Sequence, residues 1–256
     1  MAYIVVTGAS SGIGAAICYE LARQNFDLIM VARQLKLLQE LKQSLVEMYS
    51  IKVVIMSYDL SLTGNPEALH RACQDYEVIG LVNNAGYGLY GLFSEIELEA
   101  ELNLIDLNVT NTHLLSKLFL NDFIKQGKGY LLNVASMAAF QAGPLMASYY
   151  ASKAYILNLT EAIAEELKES HPQIVVSVLC PGPVATNFQK RAAIKTVNNR
   201  IPSAEEVAIY AVNKWFKGNI LIIPKFSNRV LVFANRFIPR RFGRYLVKKN
   251  QLKKKS

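Results

Sequence analysis

Three residues, Ser136, Tyr149 and Lys153, have the types and spacing needed for proton transfer. Tyr149 and Lys153 are four residues apart in a segment that reads as helix, so their side chains share one face. A free tyrosine has a pKa of about 10, and a neighbouring ammonium group favours the phenolate. Such a tyrosine can protonate a carbonyl oxygen or deprotonate an alcohol, while the Ser136 hydroxyl holds the same oxygen. Surface helices also contain Tyr-x-x-x-Lys pairs, so this pair needs support from other motifs.

A glycine-rich turn near the start of the chain predicts a phosphate-binding site. Residues 7–14 read TGASSGIG and follow an apolar run. Glycines at positions 8, 12 and 14 let backbone N–H groups approach a pyrophosphate at a helix N-terminus. The spacing G-x-x-x-G-x-G differs from the dinucleotide fingerprint G-x-G-x-x-G, and a turn of this kind is a weak signal by itself.

Runs rich in β-branched residues alternate with helical patterns over residues 1–224. Strands are predicted at 3–6, 26–31, 52–57, 79–83, 130–134, 174–179 and 219–223. The alternation predicts an α/β fold with a Rossmann-type, doubly wound parallel sheet of about seven strands in a single domain. Such sheets bind ligands at the carboxyl ends of their strands, where the glycine turn and Ser136 both fall.

Helical patterns are clearest in two segments. Leu35, Leu38, Leu41, Leu45 and Met48 recur at helical spacing and predict an apolar stripe that faces the sheet. A second helix is predicted to begin after Ser203, which would cap it, with acidic residues in its first turn.

The residue after the second predicted strand indicates which nicotinamide cofactor is bound. A carboxylate there would accept the 2′-hydroxyl of NAD, whereas an arginine would bind the 2′-phosphate of NADP. The chain has Arg33 at this place, and Asp27 lies at the far end of the strand. We therefore predict a preference for NADP(H) over NAD(H), with Arg33 as the discriminating residue. The alternative is that Arg33 is a solvated residue at the start of the next helix.

Taken together, these motifs resemble the short-chain dehydrogenase/reductase family, in its single-domain branch, over residues 2–224. The resemblance implies an NADP(H)-dependent carbonyl reductase or alcohol dehydrogenase. Tyr149 would be the acid/base, Lys153 would modify its pKa and hold the nicotinamide ribose, and Ser136 would anchor the substrate oxygen. Asn108 would link the lysine to solvent through a water molecule.

The same resemblance implies a set of cofactor-binding residues. Many NADP-preferring members carry a basic residue inside the glycine-rich turn, and this chain has Ala9-Ser10-Ser11 there. Arg33 therefore carries most of the argument for NADP. The implied set is Gly8, Ser10, Ser11, Gly12, Ile13, Gly14, Arg33, Asp59, Leu60, Asn84, Ala85, Gly86, Tyr149, Lys153, Pro181, Gly182, Val184 and Thr186.

Apolar residues near these motifs predict the character of the substrate. They suggest a ketone or secondary alcohol on a hydrophobic body, lipid-like, such as a 3-oxoacyl group or a steroid. The alternative is that most of them pack on one another. The predicted lining residues are Tyr87, Met137, Phe140, Leu145, Met146 and Phe188, with Tyr90 close by.

Charge is distributed unevenly along the chain. Of 256 residues 52% are hydrophobic and 19% charged, which indicates a folded domain with a substantial core. Residues 225–256 contain eleven basic and no acidic residues, whereas residues 1–224 contain 17 basic and 20 acidic ones. We predict that this basic C-terminal helical tail attaches peripherally to an anionic membrane. It could instead close the substrate pocket or form a subunit contact. Nucleic-acid binding is disfavoured, because no segment resembles a groove-reading helix.

The remaining features of the sequence limit where the protein can act and how it can assemble. Cys18, Cys73 and Cys180 lack metal-ligand spacing and read as core thiols, and we predict no metal site. The first strand begins almost at the start of the chain, and no apolar run approaches the roughly 18 residues of a membrane-spanning helix. We expect a cytoplasmic protein, in part on the inner membrane face. The resemblance implies a homodimer or homotetramer formed by a helix at 99–126 and the helix of Tyr149. A silent NADPH sensor or membrane scaffold is the alternative function.

Overall fold

A parallel sheet of seven strands forms the centre of the computed structural model, which describes residues 2–186 and 201–253. The strands are β1 (Tyr3–Thr7), β2 (Asp27–Ala32), β3 (Val53–Ser57), β4 (Val78–Asn83), β5 (Gly129–Val134), β6 (Ile174–Leu179) and β7 (Leu221–Ile222). Their order is β3-β2-β1-β4-β5-β6-β7. The chain reverses its direction of travel across the sheet between β1 and β4, so a crevice opens beyond their carboxyl ends. The predicted Rossmann-type fold is confirmed.

Helices cover both faces of the sheet. Between β4 and β5, one long helical stretch is predicted, but a π-helical segment at Asp106–Thr110 interrupts it. A short 3₁₀ helix, Met137–Phe140, follows β5. The α-helices are α1 (Gly12–Arg23), α2 (Leu35–Met48), α3 (Asn65–Cys73), α4 (Leu98–Ile105), α5 (Asn111–Gln126), α6 (Ala147–Leu167), α7 (Ala204–Trp215), α8 (Phe226–Asn235) and α9 (Arg240–Leu252).

Two apolar cores lie on opposite faces of the sheet. Because side chains alternate along a strand, Ile4 and Val6 of β1 enter one core while Val5 enters the other. The first core also contains Trp215 of α7, and the second contains Phe119 of α5; both side chains are fully buried or nearly so. This two-sided burial explains why the central strands read as continuous apolar runs.

The two helical patterns singled out in the sequence both form helices. Leu38, Leu41 and Leu45 of α2 are buried as predicted, but Leu35 and Met48 are exposed, because they are the first and last residues of the helix. Ser203 caps α7 as predicted: its Oγ accepts a hydrogen bond from the Glu206 N–H, and the Glu206 carboxylate accepts one from the Ser203 N–H.

Cys18, Cys73 and Cys180 are buried free thiols. Within residues 2–186 and 201–253, no group of three His, Cys, Asp or Glu side chains is placed to hold a metal ion. None of the described helices combines the length and apolar character needed to cross a membrane.

Buried amides connect the carboxyl ends of β4 and β5. Asn83 and Asn133 face each other across the ladder, and Asn83 Nδ2 donates to Asn133 Oδ1 at 2.9 Å. Asn83 Nδ2 also reaches Ser116 Oγ of α5 at 3.1 Å, and Asn133 Nδ2 donates to Thr160 Oγ1 of α6 at 3.0 Å. The network therefore fixes α5 and α6 against the carboxyl edge of the sheet, next to the ends of β4 and β5.

We expect Asn133→Ala to lower the free energy of unfolding by about 1–3 kcal/mol, because it leaves buried polar partners unsatisfied. The exposed Asn121→Ala in α5 is the matched control and should change little. Urea unfolding of both variants measures the difference. Equal stability of the Asn133 and Asn121 variants would contradict a structural role for the amide network.

Candidate active site

The glycine-rich turn joins β1 to α1 at the carboxyl edge of the sheet. Gly8 and Gly12 have φ angles of 65° and 59°, a left-handed conformation that glycine adopts without strain. A Cβ on Gly14 would collide with the Asn84 side-chain nitrogen and the Gly8 carbonyl. The Ser11 side chain makes no capping hydrogen bond, so the first-turn N–H groups of α1 lack that partner. The turn therefore fits a cofactor pyrophosphate.

Hydrogen bonds fasten this turn to the loop after β4. Thr7 Oγ1 donates to the Val82 carbonyl at 3.2 Å and accepts from the N–H groups of Asn84 and Ala85 at 3.0 and 3.1 Å. Asn84 Nδ2 in turn donates to the carbonyls of Thr7 and Gly8 at 3.0 and 3.2 Å. The structure thus brings the predicted glycine motif and the predicted Asn84-Ala85 segment together.

A cation and a carboxylate meet beyond the end of β2. The exposed Arg33 side chain places Nη1 3.5 Å from Asp59 Oδ2. Asp59 Oδ1 also accepts hydrogen bonds from the Ser61 N–H and hydroxyl. Burial acts to raise the pKa of Asp59, but these hydrogen bonds and the Arg33 charge hold it below its usual value. Two residues predicted to contact the cofactor are therefore neighbours.

Ser136, Tyr149 and Lys153 come together where β5 ends and α6 begins. The side chains of Ser136 and Tyr149 are hydrogen-bonded to each other, and Ser136 Oγ also accepts from the Ala138 N–H at 3.1 Å. The buried Lys153 Nζ donates to the Val134 carbonyl at 2.8 Å and lies 6.0 Å from the Tyr149 ring centre. The spacing read from the sequence therefore corresponds to one cluster.

Burial controls the proton affinity of this cluster. It raises the pKa of Tyr149 to about 12, although the hydrogen bond with Ser136 acts in the other direction. It lowers the pKa of Lys153 to about 8. The sequence led us to expect that the lysine would favour the phenolate. Among the protein's own groups, desolvation of the Tyr149 hydroxyl outweighs that effect.

Asn108 lies in the π-helical segment and touches the same cluster. Its Oδ1 accepts from the Tyr87 N–H at 3.1 Å, and its Nδ2 donates to the Tyr87 carbonyl at 2.9 Å and to Ser152 Oγ at 3.1 Å. A Cβ on Gly86 would lie 2.7 Å from Asn108 Oδ1 and 3.5 Å from Lys153 Nζ. The sequence reasoning missed Ser152, although its place inside the Tyr-x-x-x-Lys motif is a signal that could have identified it.

The segment 181–186, after β6, borders both the glycine turn and the C-terminal tail. A Cβ on Gly12 would lie 3.2 Å from Thr186 Cγ2, so the segment approaches the turn closely. A Cβ on Gly182 would lie 2.8 Å from Asn228 Nδ2 of α8. Of the other predicted cofactor residues, Leu60 and Val184 are buried, and Ser10 and Ile13 are half-buried.

The predicted substrate residues divide into two groups. Met146 packs in one apolar cluster with Tyr149, and the half-buried Tyr87 and Tyr90 contact it. Met137 and Phe140 pack instead against a second cluster that includes residues of β6 and α6. Leu145 has a φ of 68°, and its carbonyl accepts from the Gly91 N–H. Phe188 lies outside the described residues.

Both tail helices contact the loops that carry these residues. The buried Gln251 of α9 donates through Nε2 to the Tyr150 hydroxyl at 2.7 Å, and its carbonyl accepts from the Tyr90 hydroxyl at 2.9 Å. Asn235 of α8 donates through Nδ2 to the Phe140 carbonyl at 2.9 Å. No local pattern in the sequence marks Gln251, because its partners are far away along the chain.

Comparisons with known proteins identify the family of the chain. A family model described as short chain dehydrogenase matches residues 2–196. The dehydrogenase/reductase SDR family member 7 of Homo sapiens is 33% identical over 203 residues, covering 76% of this chain and 60% of that protein. The very-long-chain 3-oxoacyl-CoA reductase of Vanderwaltozyma polyspora is 28% identical over 190 residues, covering 69% and 55%.

A solved structure shows the same architecture. The short-chain dehydrogenase from Sphingobium yanoikuyae, in complex with NADPH, matches with a TM-score of 0.84 and 28% identity over 92% of this chain and 93% of that chain. The match covers less than two thirds of the length of each of the two curated relatives. Because the family model covers most of the sequence, the chain belongs to the short-chain dehydrogenase/reductase family.

Proposed function

We propose that this chain is an NADP(H)-dependent carbonyl reductase or alcohol dehydrogenase. The hydrogen-bonded pair of Ser136 and Tyr149, with Lys153 beside it, is the observation that carries the proposal. The glycine cradle lies at the same edge of the sheet, so a cofactor held there would reach the cluster. When bound, NADP(H) supplies or accepts the hydride.

The protein's own groups perform the proton transfer. With its raised pKa, Tyr149 carries a proton at neutral pH and can give it to a carbonyl oxygen during reduction. Ser136 holds that oxygen beside the tyrosine. Protonated Lys153 stabilises the phenolate that results, and it keeps N–H groups to hold the cofactor ribose in addition to its bond with Val134. Asn108, bonded to Ser152 and Tyr87, positions the path that returns the proton.

Preference for NADP(H) rests on Arg33. Its guanidinium is exposed at the carboxyl end of β2, where the adenosine ribose of a cofactor on the glycine turn would lie. Planar guanidinium groups bind phosphate through two parallel hydrogen bonds. The Asp59 carboxylate holds the arginine near this position. The Sphingobium yanoikuyae relative was solved with NADPH, which supports the same assignment.

The proposed substrate is an apolar ketone or secondary alcohol, such as a 3-oxoacyl or steroid-like compound. The half-buried Tyr87 and Tyr90 pack on the buried Met146 and Leu104 and give an aromatic wall in the cluster that contains Tyr149. A hydrophobic body would bury against this wall with its carbonyl at Ser136. The relative from Vanderwaltozyma polyspora, named as a very-long-chain 3-oxoacyl-CoA reductase, supports a lipid-like substrate.

Two further proposals concern assembly and place of action. We propose that two or four copies pair through the helical stretch at 99–126, which comprises most of α4, the π-helical segment and α5, and through α6. Leu102 of α4 and Tyr155 of α6 are large exposed apolar residues suited to such a contact. We also propose that the protein acts at the inner, anionic face of a membrane, to which the basic tail attaches. The tail's nine described cations support this attachment.

We expect Tyr149→Phe to reduce turnover by roughly 10²–10⁴-fold, because the acid/base hydroxyl is lost while the ring remains. NADPH oxidation measured against ketones graded from small and polar to large and apolar tests this. Rates in the unmodified protein should rise with apolar size. Tyr150→Phe is the matched control and should keep turnover within a few-fold. Unchanged turnover in Tyr149→Phe would reject Tyr149 as the acid/base. If wild type and both variants bind NADPH but none of them turns over a ketone, the silent NADPH sensor is favoured instead.

The lowered pKa of Lys153 makes stability depend on pH in a defined direction. Between about pH 8 and its usual value of 10.5, the folded lysine is neutral while the unfolded lysine still binds a proton. Stability therefore gains from this group as pH rises through that window. Raising pH from 8 to 10 should change the stability difference between wild type and Lys153→Met by about 1–3 kcal/mol, in favour of wild type. Urea unfolding at each pH measures it, and a constant difference would refute the shift.

Arg33→Asp should weaken NADPH binding by roughly 10–100-fold, because a charge-assisted contact to the 2′-phosphate is lost. NADH binding should change much less. Arg71→Asp makes the same charge change at an exposed position of α3 and should affect neither cofactor. Fluorescence titration gives both dissociation constants, and an equal effect of Arg33→Asp on NADPH and NADH would sink the cofactor assignment.

A further inference from the structure

α8 presents an apolar stripe to solvent. Phe226, Val230 and Phe233 of α8, and Phe237 in the turn just after it, follow at helical spacing, with exposed fractions between 49% and 77%. The rings of Phe233 and Phe237 contact each other with centroids 5.4 Å apart. Side chains on the other side of the helix face the protein: Val232 packs against an apolar cluster, and Asn235 bonds to Phe140. A contiguous exposed apolar stripe of this kind marks an interaction surface.

α9 continues this surface and adds charge. The residues that face the protein are Gly243, Val247 and Gln251, spaced four apart and buried. Large apolar residues lie on the outward side, and cations follow one another at helical spacing next to them. The exposed apolar residues are Phe242, Tyr245, Leu246 and Leu252, and the neighbouring cations are Arg241, Arg244 and Lys248.

A cationic cavity lies under α8, between α7 and the edge strand β7. Its volume is about 340 Å³. Lys214, Arg229 and Arg236 line it, and the described part of its lining, within residues 2–186 and 201–253, includes no acidic residue. The Tyr210 hydroxyl, also in the lining, is buried and has no hydrogen-bond partner among residues 2–186 and 201–253. Three cations and a free buried donor suit the oxygens of a phosphate group. Phe233 lines the same cavity, so the cavity adjoins the apolar stripe.

We propose that this cavity binds the headgroup phosphate of an anionic phospholipid while the outward apolar residues of α8 and α9 lie on the bilayer. The inference rests on the membrane attachment proposed above and assigns it to a specific face and site. Apolar residues flanked by cations are the pattern of helices that lie in the plane of an anionic bilayer. Residues 225–253 provide nine exposed cations and no acid.

Charge selects this occupant over the others that an apolar surface could attract. A second copy docked through the same face would place nine exposed cations against nine, which costs energy unless anions intervene. A nucleic acid would satisfy the cations but would leave the phenylalanine stripe in water. An anionic bilayer accommodates both features. Because Asn235 bonds to Phe140 and Gln251 bonds to Tyr150 and Tyr90, docking would hold the cluster around Tyr149 close to the lipid surface.

Flotation of the full-length protein with phosphatidylcholine vesicles, with or without phosphatidylglycerol, tests this inference. Wild type should float with the anionic vesicles and be released by high salt. Phe233→Ser/Phe237→Ser removes the stripe, and Lys214→Gln/Arg236→Gln removes cavity cations. Each double variant should lower the partition coefficient by roughly tenfold or more. Met48→Ser/Leu62→Ser and Lys125→Gln/Lys128→Gln make matched changes at exposed positions elsewhere and should float like wild type.

The possible results distinguish failure of the assigned face and cavity from failure of the proposed membrane attachment itself. If wild type floats and the two test variants float equally well, the assigned face is wrong while membrane attachment stands. If wild type stays at the bottom of the gradient, both fail. If only the cavity variant floats normally, the phosphate site is rejected. A mass by light scattering that shows a dimer lost in Phe233→Ser/Phe237→Ser, without flotation, would assign the stripe to a second copy. Thermal unfolding confirms that every variant is folded.

Discussion

The junction between β1 and β4 is the constraint on which the site depends. Parallel pairing of these two strands places their carboxyl ends side by side, and the Thr7 hydroxyl then binds the loop that follows β4. Asn84 Nδ2 in turn donates hydrogen bonds to the carbonyls of Thr7 and Gly8, at the start of the glycine turn. Because Gly14 has no room for a Cβ against Asn84, the turn and the loop have one packing arrangement. The phosphate cradle is therefore held both by the pairing of β1 with β4 and by the loop that follows β4.

Features with a local signal could be predicted from the sequence. The strands and the Ser203 cap could be read because alternation and capping depend on neighbouring residues. The cluster of Tyr149 and Lys153 follows from helical spacing. Contacts between distant segments gave no signal: Gln251 and Tyr150 are 101 residues apart, and the tail's packing depends on such pairs. The π-helical turn around Asn108 also has no simple sequence pattern, so the predicted continuous helix missed it.

Electrostatics was the least predictable part of the site, because spacing says nothing about desolvation. From four-residue spacing, the lysine should favour the phenolate of the tyrosine. Folding buries both groups, and burial favours the neutral form of each: the Tyr149 pKa rises and the Lys153 pKa falls. A neutral tyrosine is the form that reduction needs. Lys153 Nζ donates a hydrogen bond to the Val134 carbonyl, which fixes its position beside Tyr149.

The tail packs against the protein with its inward side and presents an apolar stripe to solvent with its outward side. Its inward residues are polar as well as apolar: Asn235 donates a hydrogen bond to the Phe140 carbonyl, and Gln251 donates one to the Tyr150 hydroxyl and accepts one from the Tyr90 hydroxyl. Hydrogen bonds of this kind fix orientation, whereas apolar contacts permit sliding. An orientation fixed in this way gives the outward stripe of α8 a defined direction relative to Tyr149. A partner that binds the stripe is therefore held at a constant distance and orientation from Tyr149. A fixed geometry of this kind is required if binding at the stripe is to present a substrate to the proton-transfer cluster.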